Sequence, residues 1–200
     1  NESYNKLSGS FEMKDVTFGY AKLDEPLIKN FSISVKQGQR IAFVGESGCG
    51  KSTLAKLISG INQPWSGEVT FDGKKITEID RTIFTASLAV VDQDIILFED
   101  SIKENIKMWD HSIEDFEVIM AARDAQIHDD IVQRESGYDY TLTEGGSDFS
   151  GGQRQRMEIA RVLAQDPTIC ILDEATSALD AKTEYDVVKA IKDRGITCIV

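Results

Sequence analysis

The sequence predicts an α/β protein with a mainly parallel central sheet, an N-terminal antiparallel β lobe and a helical lobe inserted in the sheet. Three observations carry that prediction. Short continuous apolar runs at residues 41–44, 88–91, 168–172 and 196–200 have the pattern of strands covered on both faces. Helix-permitting segments separate them, the alternation expected of a parallel sheet. The first run leads straight into GESGCGKS and then a helical segment, the strand, loop, helix setting in which G-x-x-x-x-G-K-[ST] binds phosphate.

Taken in order, residues 1–10 carry no charged-then-apolar signal pattern. Residues 11–18 and 31–35 carry β-formers. Phe31, Ile33 and Val35 alternate with Ser32, Ser34 and Lys36, and Val69 and Phe71 follow Gly67, so half-buried antiparallel strands are expected there. In the loop formed by Gly45, Glu46, Ser47, Gly48, Cys49 and Gly50, glycines let backbone N–H groups approach phosphate oxygens with no Cβ in the way. Lys51 adds a positive charge, and the helix starting beside it presents unpaired N–H groups to the same anion. The Ser52 hydroxyl is placed for a Mg²⁺ ion bridging the outer phosphates, with Thr53 next to it. The alternative is an ordinary glycine-rich turn.

Between 94 and 147 the pattern becomes helical, with candidates at 101–107, 112–122 and 128–133. Ile113, Phe116 and Met120 fall on one predicted face and Ser112 reads as an N-cap. The helical lobe is expected over about 94–165. His111 and His128 have no partners at metal-ligand spacing and read as surface or hydrogen-bonded histidines.

The run 169–172 ends in Asp173 and Glu174, at the carboxyl end of a buried strand, where open α/β sheets place ligands. Asp173 can hold Mg²⁺ directly or through water, and Glu174 can orient and polarise the water that attacks the terminal phosphate. Two solvated acids, or Asp173 as a helix cap, would give the same string. Residues 149–154 read FSGGQR and precede an apolar helical stripe. Ser150 is then an N-cap, and Gly151 and Gly152 bare the helix N-terminus for a second phosphate contact, although a plain capped helix also explains the string.

A net charge of −12 argues against a nucleic-acid backbone as partner, which would need clustered Lys and Arg. No apolar run reaches the ~18 residues of a membrane span. The cysteines Cys49, Cys170 and Cys198 lack metal-ligand spacing and suit a reducing compartment. Cys49, beside Lys51 and a helix N-terminus, is either a reactive thiolate or a small loop filler.

At this point the chain resembles the ATP-binding cassette (ABC) family, a group of P-loop NTPases, over nearly its whole length. GESGCGKS is similar to the Walker A loop, residues 91–93 to the Q-loop, FSGGQ to the signature, CILDE to Walker B, and SALD at 177–180, ending in Asp180, to the D-loop. Phe149 departs from the usual leucine of the signature, a packing change on a side chain facing the core. Tyr20 matches the aromatic that stacks on adenine, a contact needing only a π-face. The resemblance implies an ATP and Mg²⁺ site with Gln93 contacting the Mg²⁺ and the attacking water. It also implies a second, head-to-tail nucleotide-binding domain whose ATP meets Ser150, Gly151, Gly152 and Gln153.

LFEDSIKENI at 97–106 and TEGG at 143–146 resemble the exporter branch, and peptide exporters within it. That implies a transmembrane domain in the same polypeptide, with residues 1–10 as the linker from it, and a place on the cytoplasmic side of the cell membrane. The family's switch histidine would follow residue 200, and the chain lacks an initiating Met, so a C-terminally incomplete domain is expected. Two other readings are an ATP-binding module with little turnover and a soluble, non-transport cassette ATPase.

Overall fold

The computed structural model describes residues 6–43, 51–91 and 94–200. The expected loop residues Gly45, Glu46, Ser47, Gly48, Cys49 and Gly50, and Gln93, lie outside them. The first elements are β1 (Phe11–Phe18), β2 (Ile28–Val35), β3 (Arg40–Ile41) and α1 (Lys51–Ile58). Next come β4 (Ser66–Phe71), β5 (Lys74–Lys75), α2 (Arg81–Ser87) and β6 (Leu88–Val91). The helices α3 (Ile102–Lys107), α4 (Asp115–Asp124), α5 (His128–Val132) and α6 (Gly151–Ala164) follow, and β7 (Ile169–Leu172), α7 (Ala181–Asp193) and β8 (Thr197–Ile199) end the chain.

These elements form two compact units. The first takes Asn1–Val90, Thr168–Asp173 and Gly195–Val200. It holds an antiparallel sheet ordered β2-β1-β4-β5 and a second sheet ordered β3-β8-β7-β6, in which the β3–β8 and β7–β8 pairings are parallel. The expected division into antiparallel lobe and parallel sheet is therefore present. Alternation places Phe11, Met13, Val16 and Phe18 of β1 inward, where they pack with Val69 and Phe71 of β4, Leu54, Leu57 and Ile58 of α1, and Ile169 and Ile171 of β7. Gly67, the second residue of β4, has φ +80°, and a Cβ there would meet Asp15 O at 2.3 Å, so only glycine lets this strand pass the irregular stretch of β1. Leu7 is tied down as well, its N–H donating to Ser87 Oγ at 2.9 Å.

The buried-strand pattern holds fully for β7 and β8, where every residue is buried. It fails in β6, because Val90 is 36% exposed, and at 41–43, where Ile41 and Phe43 are half-buried, Ala42 is exposed and β3 ends at Ile41. Cys170 and Cys198 stand in register on β7 and β8, and burial pushes both thiols up, Cys198 to about 11. Cys170 and Cys198 should therefore resist a maleimide in the native protein and react only on unfolding. Peptide mass mapping of the adduct checks this; early labelling of Cys170 would contradict the burial argument.

The second unit takes Val91–Pro167 and Glu174–Arg194. Here α4 packs on α6 and α7, and α3 on α6. The expected helices at 101–107 and 128–133 are α3, with Ser101 Oγ accepting from Glu104 N–H at 3.1 Å, and α5. The third expectation is corrected. Ser112 is no N-cap: its hydroxyl donates to Asp110 Oδ1 at 2.6 Å, and α4 starts later, at a capping box of Glu114 and Glu117. Of the expected stripe only Ile113 is buried, while Phe116 and Met120 are 60% and 50% exposed. The covered face of α4 is Val118, Ala121 and Ala122, because contact with α6 and α7, not the apolarity of single residues, selects it. His128 finds a partner in Tyr138, Nδ1 lying 2.6 Å from the hydroxyl oxygen. Among the described residues no helix is long and apolar enough to cross a membrane.

Candidate nucleotide site

In the first unit, Lys51 and Ser52 open α1, directly after the glycine loop, and both are exposed. The Ser52 hydroxyl stands 3.5 Å from Asp173 Oδ1. The two residues are 121 positions apart, and the sheet brings them together: β7 delivers Asp173 at its carboxyl end, and α1 begins at the same place. A hydroxyl and a carboxylate oxygen are the hard donors that Mg²⁺ takes, and neighbouring ligands of an octahedral Mg²⁺ at about 2.1 Å stand about 3 Å apart. The pair therefore fits the ion with a small adjustment. The alternative of Asp173 as a helix cap does not hold, since the chain after it runs through turns as far as Asp180.

Tyr20 lies in the same unit, 60% exposed, its ring edge-on to Phe18 at 5.2 Å. Its phenol oxygen is 3.3 Å from Thr53 Oγ1, and Lys56 Nζ lies 5.9 Å from the ring centroid. The ring is thus fixed along one edge to α1, and an exposed π-face is what stacking on a flat base requires.

In the second unit, Glu174 follows Asp173 with φ +54°, a left-handed backbone that costs a non-glycine residue about 1 kcal/mol. Ser150 caps α6: its hydroxyl accepts from Gln153 N–H at 3.2 Å, and Ser150 N–H donates to Gln153 Oε1 at 2.9 Å. This capping box commits the Gln153 side chain to the helix end, while Gly151 remains exposed beside it. Phe149 is 5% exposed and faces the core, with the Arg134 guanidinium 4.1 Å from its ring centroid. Asp180 caps α7, accepting from Thr183 N–H at 2.8 Å, and that bond holds its carboxyl below the ordinary range.

Two features of this unit were not among the sequence candidates. Gln155, 7% exposed, accepts from Ala178 N–H at 2.8 Å and donates to Ser177 Oγ at 2.9 Å. Its partners lie more than twenty positions away, and only its fall on the covered side of α6 could have drawn notice. Asp148, just before FSGGQ, accepts from the Thr143 hydroxyl, from Tyr140 Oη–H at 2.7 Å and from Thr143 N–H at 3.3 Å. These bonds, led by that of the Thr143 hydroxyl, bring its carboxyl down to about 2. The unfolded carboxyl titrates near 3.9, so the folded form binds fewer protons. The stabilisation is present above about pH 4 and is lost as pH falls through about 2. Solvent screening limits it to about 1 kcal/mol. Urea unfolding at about pH 6 and about pH 2.5 should show a larger loss on acidification for the native chain than for Asp148→Asn.

A family model described as ABC transporter matches residues 28–177. An uncharacterized ABC transporter ATP-binding protein of Bacillus subtilis (strain 168), YfiB, is 39% identical over 196 residues, 98% of this chain and 34% of that protein. An ATM1-type heavy metal exporter of Novosphingobium aromaticivorans is 40% identical over 188 residues, 94% of this chain and 30% of its own length. A solved structure of a bacterial Atm1-family ABC exporter with ATP bound superposes with a TM-score of 0.84 at 38% identity, covering 98% of this chain and 34% of that one. The chain thus spans about a third of the length of the curated relatives it matches.

Proposed function

The chain belongs to the ABC transporter family, and on that premise we propose that it binds and hydrolyses ATP to power an exporter, with ATP closing two such modules head to tail. The observation that carries this reading is the meeting of Ser52 and Asp173 at the start of α1. At 3.5 Å the two share at most a long hydrogen bond, and a hydroxyl beside a carboxylate is the donor pair that a magnesium triphosphate requires.

In this reading the loop amides of residues 45–50, the Lys51 ammonium and the open end of α1 hold the phosphate tail, with Thr53 behind them. Ser52 and Asp173 would hold Mg²⁺, joined by Gln93. That ion, when bound, offsets charge on the outer phosphates. Tyr20 offers its face to the adenine. Glu174 orients the attacking water and accepts its proton. Ser150, Gly151, Gly152 and Gln153 present the α6 N-terminus, with its unpaired N–H groups, to ATP held by a partner module, and Asp180 lies at the same face of that junction. ATP then links two surfaces, and its cleavage removes the link.

An upstream membrane domain in the same polypeptide and a place at the cytoplasmic membrane face accord with the exporter names and greater lengths of the relatives. For the cargo, the strings at 97–106 and 143–146 make peptides the first class to try, while one relative's name supplies heavy metal as the competitor. Transport by the full-length protein in vesicles, with a peptide and a heavy-metal cargo side by side, decides between them. Titration calorimetry of magnesium ATP into the folded chain tests the underlying claim. Saturable heat at one site per chain is expected, and no heat from a folded sample would end the proposal. A module that binds without turnover would give the heat but release no phosphate, and a phosphate-release assay isolates that case.

A further inference from the structure

We propose that Gln155 is a positioning residue that fastens the SALD turn to the signature helix, so that both present themselves to a partner's ATP as one rigid piece. The carboxamide is nearly buried and spends both ends on the same stretch. Its oxygen accepts from Ala178 N–H at 2.8 Å and its nitrogen donates to Ser177 Oγ at 2.9 Å. One turn earlier on α6, Gly152 sits so close that a Cβ would meet Ala178 O at 3.1 Å. Three contacts, one from a glycine and two from a single side chain, thus bind residues 152–155 to residues 177–178.

The turn has little else to fix it. Ser177 and Ala178 belong to no helix or strand, and their nearest regular backbone bonds are Ser177 N–H to Glu174 O at 3.3 Å and Leu179 N–H to Thr176 O at 3.0 Å. Ala178 is exposed, so without Gln155 its N–H would exchange this partner for water and the turn would be freer to move. The clamp also reaches Glu174, whose carbonyl accepts from Ser177 N–H. A side chain on the signature helix therefore restrains the backbone three residues past the proposed base. The catalytic part of this inference rests on the proposed ATPase function; the clamp itself does not.

Two variants separate a positioning role from mere packing. Gln155→Leu keeps the volume and loses both bonds. Gln155→Glu can still accept from Ala178 N–H, and the Ser177 hydroxyl can turn to donate to the second oxygen, so it should rescue. The first readout is hydrogen exchange at the Ala178 amide. It should quicken by about tenfold or more in Gln155→Leu and stay near the native rate in Gln155→Glu. Unchanged exchange in Gln155→Leu, or equal loss in both variants, overturns the clamp. The second readout is magnesium ATP turnover by the full-length protein: kcat should fall by about tenfold or more in Gln155→Leu with ATP affinity held within about twofold, and recover in Gln155→Glu. A parallel loss of affinity, or an unchanged kcat, overturns the catalytic part. A native protein that releases no phosphate would instead count against the proposed function, while the exchange measurement still decides the clamp.

Discussion

Glu174→Gln should lower ATP turnover by about a hundredfold or more, the range associated with loss of a general base, while ATP affinity stays within about threefold. Glutamine keeps the size of the side chain and one acceptor oxygen but cannot take a proton from water, so the ground state survives and the reaction does not. The measurement is phosphate release beside nucleotide binding, with a sizing column to detect the pair of modules. Native protein should cycle between one and two modules, and the variant should accumulate as two with ATP retained. Loss of binding in Glu174→Gln would mean that Glu174 holds the nucleotide rather than activating water, and turnover near the native rate would move the base elsewhere. The left-handed backbone at Glu174 adds a control. Glycine there relieves the strain but also removes the carboxylate, so Glu174→Gly should be as inactive as Glu174→Gln without being less stable through the backbone.

The largest effect on stability is expected at Arg161. Its guanidinium is almost enclosed in the second unit, donating from Nε to Asn105 O at 2.9 Å, from one terminal nitrogen to Ile96 O at 3.0 Å, and to Glu158 Oε2 at 2.9 Å. Burial pushes its pKa down and Glu158 pulls it back up, the balance expected of a charge kept inside by a partner. Arg161→Leu would take the guanidinium away from two backbone carbonyls and from Glu158, and losing a buried charged hydrogen-bond donor of this kind costs about 3–5 kcal/mol. Arg161→Lys keeps the charge, but a single ammonium cannot span the three acceptors, so roughly half of that loss should remain. Urea unfolding followed by tryptophan fluorescence suits the measurement, since Trp109 belongs to the same unit and its indole N–H donates to Asp100 Oδ2 at 2.8 Å. A change below about 1 kcal/mol for Arg161→Leu would show that water replaces the guanidinium at little cost.

The two predictions differ in how far the sequence foreshadows them. Glu174 is conspicuous as an acid at the end of an apolar run. Arg161 sits in a helical stripe that reads as core, and nothing in its neighbours in sequence announces that it satisfies carbonyls at 96 and 105. The same contrast runs through the second unit. The capping box of Ser150 and Gln153 is a local pattern, three residues apart, and it forms as its residue types suggest. The buried face of α4 is not local. Phe116 and Met120 are the more apolar side chains, yet Val118, Ala121 and Ala122 are covered, because contact with α6 and α7 rather than the apolarity of single residues selects the buried face.

By itself, the sequence determined those features whose cause lies within a few residues: alternation in β2, the apolar runs of β7 and β8, the helix cap at Ser150, and the acids that close β7. Backbone sterics, capping hydrogen bonds and burial periodicity act over one turn or one strand, so the order of residues is enough to express them. Tertiary structure alone decided which distant groups meet: Ser52 with Asp173, Gln155 with Ser177 and Ala178, Arg161 with Ile96 and Asn105. Those contacts depend on strand order and on how closely helices approach, and both are settled by the packing of many side chains together rather than by any short string.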